Sequence, residues 1–269
     1  MKPQERKNII KEAFGKAAQT YASSSGLQFE VACELAAKIK KTPGRTLDIG
    51  TGTGYLAQAI KEKIPEAKLM ACDISHEMLK AASAGACGKQ VAAFTADCEE
   101  LPIKDSSFDC VVSSLTYQWS ADLTTSMLEA ERVLRPGGSF IFSTLGRDTM
   151  SELKKAVKAA YRLKGRDNPP HFMGFPSAEE VGDALVAVGF EDIKIEKDLK
   201  EVVYKDLWEL LKTLKNIGAT NPEKHNTGDL SGGSLLREVA KTYARLAPGP
   251  DNKGITATYE ILKISARCA

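Results

Sequence analysis

The stretch Leu47-Asp48-Ile49-Gly50-Thr51-Gly52-Thr53-Gly54 constrains this chain more than any other. Residues 45–49 read as the apolar end of a strand, and Leu56, Ala59 and Ile60 recur at helical spacing within 55–63. The glycines Gly50, Gly52 and Gly54 between them let the backbone turn sharply and come close to a ligand. The helix that follows points its free N–H groups at whatever sits over that turn. Tight turns also take glycine for purely structural reasons, so the triplet alone does not identify a ligand.

Two acids narrow the choice. Asp48 stands at the mouth of the turn, where a carboxylate suits a cation and repels a pyrophosphate. Asp73 ends the next strand, 68–72, where an acid can accept both hydroxyls of a ribose. A ribose and a positive charge without phosphate describe S-adenosylmethionine, which leaves S-adenosylhomocysteine after transfer. An NAD dehydrogenase is disfavoured, because Asp48 would face the pyrophosphate. Ser75 caps a helix running to 84, and Ile74 and Met78 can flank an adenine beside Asp73, or Met78 can simply pack into the core. Asp97, past the third strand at 90–95, can accept from the adenine amino group, and the Cys98 N–H can donate to a ring nitrogen. The loop with Ser114 and Leu115 follows the fourth strand, 108–113, and should border the transferred group; Gln118 and Trp119 in it can line a substrate channel, or Trp119 can simply anchor the packing.

No apolar run approaches the ~20 residues that a membrane span needs, and the polar 1–11 segment is not a secretory signal. Cys33, Cys72, Cys87, Cys98, Cys110 and Cys268 form no C-x-x-C pair and have no histidine at ligand spacing. They read as small hydrophobes in a reducing cytoplasm, with neither a disulfide framework nor a metal site. The formal net charge of +2 and the lack of an aromatic stacking stretch argue against nucleic acid.

Helices at 4–20 and 27–40 precede the first strand, the second stopped by Thr42-Pro43-Gly44. Tyr21 sits between them, where a phenol can face cofactor or substrate or simply pack at the junction. A helix at 123–134, the turn Arg135-Pro136-Gly137-Gly138 and a fifth strand at 139–144 continue an alternation that implies a parallel sheet. The helix at 149–163 carries Lys154, Lys155, Lys158 and Arg162, either a solvated face or a dock for an acidic partner. The loop 169–176 is unusually apolar, as a pocket lining would be. Ser177 with Glu180 forms a capping box for a helix that Gly189 stops. A strand at 193–203, a helix at 207–217, a flexible stretch at 228–233, a helix at 234–246 and a last strand at 255–264 complete the chain. The expectation is one domain over 1–269: N-terminal helices 1–41, a cofactor core 45–146 and a helical lid 205–247.

The glycine stretch, Asp73, Asp97 and Leu134-Arg135-Pro136-Gly137-Gly138 resemble the motifs of class I S-adenosylmethionine-dependent methyltransferases. Further stretches resemble the malonyl-[acyl-carrier protein] O-methyltransferases of biotin synthesis. These are Ala13-Phe14-Gly15-Lys16-Ala17-Ala18 with Tyr21, Ser113-Ser114-Leu115 with Gln118-Trp119, and Phe142-Ser143-Thr144-Leu145. Leu214-Lys215-Asn216-Ile217-Gly218-Ala219-Thr220 and Thr258-Tyr259-Glu260 are similar too, and lie outside the shared cofactor core. The resemblance runs from about residue 6 to 265. It implies a Rossmann-like, seven-stranded, mostly parallel sheet with helices on both faces and added helical lid elements. It also implies methyl transfer to the free carboxylate of malonyl-phosphopantetheine on acyl carrier protein. That carboxylate is ionised at neutral pH, so no general base is needed. Tyr21, Trp119 and Arg147 are the candidates to orient it. Another small acid, a quinone precursor, or a non-catalytic cofactor-binding module would share the same cofactor motifs.

Overall fold

The computed structural model describes residues 2–40, 44–85, 88, 91–222 and 233–269. Thr42, Pro43, Cys87, Gln90 and residues 228–232, on which sequence expectations fell, lie outside the described residues. The first half runs α1 (Pro3–Ala17), α2 (Gly26–Lys38), β1 (Arg45–Ile49), α3 (Tyr55–Lys63), β2 (Lys68–Asp73), α4 (His76–Ala84), β3 (Ala92–Thr95), β4 (Phe108–Ser114), α5 (Leu123–Val133) and β5 (Leu134–Leu145). The second half runs α6 (Ser151–Leu163), α7 (Ala178–Val188), β6 (Phe190–Tyr204), α8 (Leu207–Asn216), α9 (Gly233–Leu246) and β7 (Ile255–Cys268).

The strands form one seven-stranded sheet in the order β3-β2-β1-β4-β5-β7-β6. β1 to β5 pair in parallel, while β7 lies antiparallel to both β5 and β6. The order reverses between β1 and β4, so their carboxyl ends splay apart and open a crevice. Register brings Ile49 beside Cys72, Asp73 beside Thr95 and Ser114 beside Ser143, so the strand ends meet at one edge.

Strand periodicity divides the core between the two faces. Val111, Phe140, Phe142, Leu262 and Ile264 face α5 and α7, where Met127, Ala130, Val181 and Leu185 are buried. Cys110, Val112 and Ile141 face the other way, onto Ala32, Leu35, Leu56 and Ile60 of α2 and α3. Over the start of β7, Leu153, Val157 and Tyr161 of α6 pack on Leu235, Val239 and Tyr243 of α9.

The expected fold is the observed one, with strand boundaries displaced at β5 and β6, and with β7 running on to Cys268 rather than stopping at 264. β5 starts at Leu134, so the turn expected at 135–138 lies inside it. A register shift against β4 between Phe108 and Cys110, with Gly137 at φ +73°, absorbs the bend within the ladder. β6 starts at Phe190. Asp192 at φ +51° and a register shift between Glu191 and Lys194 break the alternation that made 193 look like the beginning. Among the described residues, no helix is long and apolar enough to cross a membrane.

Candidate active site

At the crevice between β1 and β4, the backbone turn is held by its neighbours. The N–H groups of Gly50 and Thr51 both donate to the Cys72 carbonyl, at 2.8 and 3.0 Å. Gly50 has φ +69°, and a Cβ there would lie 2.2 Å from Thr116 Cγ2, so neither conformation nor space admits a side chain. Gly52 differs: a Cβ there would meet nothing within 4 Å, which leaves its backbone open toward the crevice.

Both expected acids lie here. Asp73 Oδ2 accepts from the Gly52 N–H at 2.9 Å, and Oδ1 accepts from the Ser75 N–H at 2.8 Å. Burial pushes its carboxyl up to about 6, against the pull of those two donors. Asp48 is fully buried. Its Oδ2 accepts from the Thr51 hydroxyl at 2.7 Å, while its Oδ1 has no partner. Burial pushes this carboxyl up to about 7; the Thr51 hydroxyl opposes the rise and the Asp73 charge adds to it. A buried carboxylate oxygen without a donor, beside an open glycine backbone, fits a ligand that brings a cation and hydroxyls.

The crevice continues along Ile74, Met78, Asp97 and Cys98, the residues expected around an adenine, all of which line it. Asp97 differs in one respect. The Lys7 ammonium of α1 lies 2.6 Å from Asp97 Oδ2 and 2.7 Å from Glu99 Oε2, so the acid already holds a cation. Arg6, one residue earlier, donates to the carbonyls of Trp119 and Ser120 at 2.8 and 2.6 Å. These contacts lay α1 along the crevice, and neither residue carries a motif that would announce it.

A second cavity adjoins the first. Phe14, Tyr21, Gln28, Leu115 and Trp119 line both. The first has about 980 Å³ of open space and the second about 2000 Å³, mouths included. The wall of the second is mainly apolar: Leu27, Leu145, Met150 and Leu153, then Phe172, Met173 and Phe175 of the apolar loop, then Leu211 and Leu214 of α8. The loop therefore lines a pocket, as its composition implied. α8 does so too, whereas α9 packs on α6.

The shared wall is specific in its geometry. Leu115 has φ +52°, a conformation that costs a non-glycine residue about 1 kcal/mol or more. Its N–H donates to the Ser143 carbonyl at 3.0 Å, and Gln118 Nε2 donates to its carbonyl at 2.7 Å. Trp119 packs edge-on against Phe14, ring centres 5.2 Å apart. The Tyr21 ring lies 6.2 Å from that of Tyr55, whose hydroxyl is bonded to the Ser25 hydroxyl at 2.8 Å. Burial pushes the Tyr21 phenol well above its ordinary range, and the nearby Tyr55 and Asp73 add to the rise, so it stays a donor. Gln28, on the first turn of α2, also lines both cavities, and no sequence pattern marks it.

Two expectations part from the geometry. Arg147 does not line either cavity. It is exposed and pairs with Glu180 at 2.8 Å, because the capping box of α7 places that acid in reach. Lys154 was grouped with Lys155, Lys158 and Arg162. The last three are exposed, but Lys154 is half-buried on the wall of the apolar cavity. Gln118 does line the apolar cavity, with its amide held at both ends: Nε2 donates to the Leu115 carbonyl and Oε1 accepts from the Thr144 hydroxyl at 3.2 Å. Among the described residues no cluster of His, Cys, Asp and Glu could hold a metal.

A family described as a methyltransferase domain matches residues 47–142. The chain is 34% identical over 266 residues to the malonyl-[acyl-carrier protein] O-methyltransferase of Gallionella capsiferriformans, covering 95% of this chain and 89% of that protein. It is 32% identical over 258 residues to the enzyme of the same name from Geobacter sulfurreducens, covering 94% and 96%. Two solved structures share the fold at low identity. The YcgJ protein of Bacillus subtilis gives a TM-score of 0.60 at 18% identity, over 90% of this chain and 97% of that one. Haemonchus contortus phosphoethanolamine N-methyltransferase 2 bound to S-adenosyl-L-methionine gives 0.57 at 17%, over 95% and 57%.

Proposed function

The chain belongs to the malonyl-[acyl-carrier protein] O-methyltransferase family, and from that premise we propose that it methylates the free carboxylate of malonyl carried on acyl carrier protein. It is an enzyme, and its cofactor is S-adenosylmethionine. The observation that carries the proposal is the wall shared by a polar crevice and a larger apolar cavity. A methyl donor on one side and a thioester arm on the other would meet there and nowhere else.

The bound cofactor supplies an electrophilic methyl on a sulfonium, whose sulfur keeps the bonding pair when the substrate oxygen takes the methyl. No proton moves, since the malonyl carboxylate is already ionised. Asp73 and the Gly52 backbone would hold the ribose end of the cofactor, and the unpaired Asp48 Oδ1 its cationic end. Tyr21 would donate to the substrate carboxylate from the shared wall, with the Gln28 amide as a second neutral donor. Neutral donors orient the attacking oxygen itself without setting a full charge against it. Trp119, Phe14 and Leu115 exclude water, which keeps that oxygen aligned and desolvated.

The arm would enter past the 170–175 loop and α8, and the acidic carrier would meet Lys155, Lys158 and Arg162 on the exposed face of α6. Cysteines free of disulfides among the described residues suit a cytoplasmic setting, and the product would feed biotin synthesis. Reversing the three α6 charges is expected to raise KM for malonyl-carrier about three- to tenfold, and to leave a small malonyl thioester unaffected. An equal change for both substrates would remove the carrier dock from α6.

A further inference from the structure

Among the described residues, the apolar cavity carries one lysine that no carboxylate pairs with. Lys154 projects from the first turn of α6 onto its wall. Its Nζ donates to the Arg147 carbonyl at 3.1 Å and lies 5.8 Å from the centre of the Phe175 ring. Asp148 and Glu260 are the acids near enough to act on it, but Lys197 holds both, at 3.2 and 2.8 Å. Lys7 on the crevice wall is engaged with Asp97 and Glu99, and Arg147, outside both cavities, with Glu180. His171, the other basic side chain of the wall among the described residues, is exposed. Burial lowers the Lys154 ammonium from its ordinary value, against the pull of the two acids.

An ammonium on an apolar wall costs solvation unless an anion arrives to meet it. The substrate proposed above brings one. We propose that Lys154 is the specificity-determining residue that reads the free carboxylate of the thioester substrate. This rests on the malonyl reading of the site. The ammonium would take one carboxylate oxygen and leave the other for the shared wall. Methylation then cancels the substrate charge, so Lys154 holds the anionic substrate, rejects an uncharged acetyl thioester and releases the ester product. The rival anion is the phosphodiester of the carrier's arm, and the two are separable by substrate.

Steady-state kinetics of Lys154→Met and Lys154→Arg test this on malonyl-N-acetylcysteamine, which has no phosphate, and on malonyl-phosphopantetheine. The expected result for Lys154→Met is a KM about ten- to hundredfold higher on both, with kcat changed less and cofactor affinity kept. Lys154→Arg should stay within about threefold of the wild type. In binding titrations the wild type should prefer the malonyl thioester to its methyl ester, and Lys154→Met should not. A KM rise on the phosphate-bearing substrate alone assigns Lys154 to the arm and overturns the proposal. So does an unchanged KM on both, or a preference for the acid that survives in Lys154→Met. If the wild type turns over neither thioester, the malonyl reading itself fails, and the binding titration then decides the role of Lys154.

Discussion

The polar crevice and the apolar cavity sit side by side, yet they are built in opposite ways. The crevice is made from strand ends and backbone, with Asp48, Gly50, Gly52 and Asp73 held by short hydrogen bonds. The cavity is made from side chains of α1, α2, the 114–119 segment, α6, the 169–176 loop and α8. One relies on geometry fixed by the sheet, where a single methyl group is too much. The other relies on many small apolar contributions, none of which dominates. The difference teaches where each kind of substitution should act.

The largest effect is expected from Gly50→Ala. A Cβ at 2.2 Å from Thr116 Cγ2, on a backbone at φ +69°, should lower Tm by several degrees and weaken cofactor binding roughly tenfold or more. Calorimetry and a cofactor titration would check it. Wild-type Tm and affinity together would mean the crevice tolerates change as the cavity does.

That contrast also explains what could be read from the chain. Asp48, the glycines and Asp73 lie within 26 consecutive residues, 48–73, and the rules of strand, turn and helix place them together. The cavity wall joins Tyr21, Gln28, Leu115, Trp119, Lys154 and Leu211 from across the chain, and no spacing links them. Tyr21, between two helices, and Trp119, beyond a strand, carry a positional signal in the sequence. Gln28 offered no such signal. Arg147 had the right place at the end of β5, but Glu180 of a helix 33 residues later takes its charge. Lys154 shares helical spacing with Lys158 and Arg162. Its burial depends on the loop and sheet packed around it, which the helix pattern does not contain.

A middle-sized effect should come from the wall between the two regions. Tyr21→Phe keeps the ring and removes the hydroxyl, so kcat should fall roughly tenfold while cofactor affinity stays within about a factor of two. Single-turnover rates and a cofactor titration measure the two separately. An unchanged rate, or a parallel loss of affinity, would move Tyr21 from the substrate to the cofactor side.

The smallest effect at neutral pH concerns the crevice alone. Burial raises Asp48 to about 7 and Asp73 to about 6 in the cofactor-free protein. A cationic ligand favours their ionised forms, so binding should expel protons. Affinity should therefore rise with pH between about 5.5 and 7.5, by at most about tenfold per unit for each proton released, and flatten above that range. Titration calorimetry in two buffers of different ionisation enthalpy counts the protons. Flat affinity across the range would place no positive charge beside Asp48.

The account comes down to methyl crossing from the crevice to a carboxylate in the cavity. The most direct measurement is the mass of malonyl-acyl carrier protein, and of acetyl-acyl carrier protein beside it, after incubation with the enzyme and S-adenosylmethionine. The account predicts that the malonyl carrier gains one CH2 unit and the acetyl carrier none. A malonyl carrier of unchanged mass, or an acetyl carrier that gains the same unit, would contradict it.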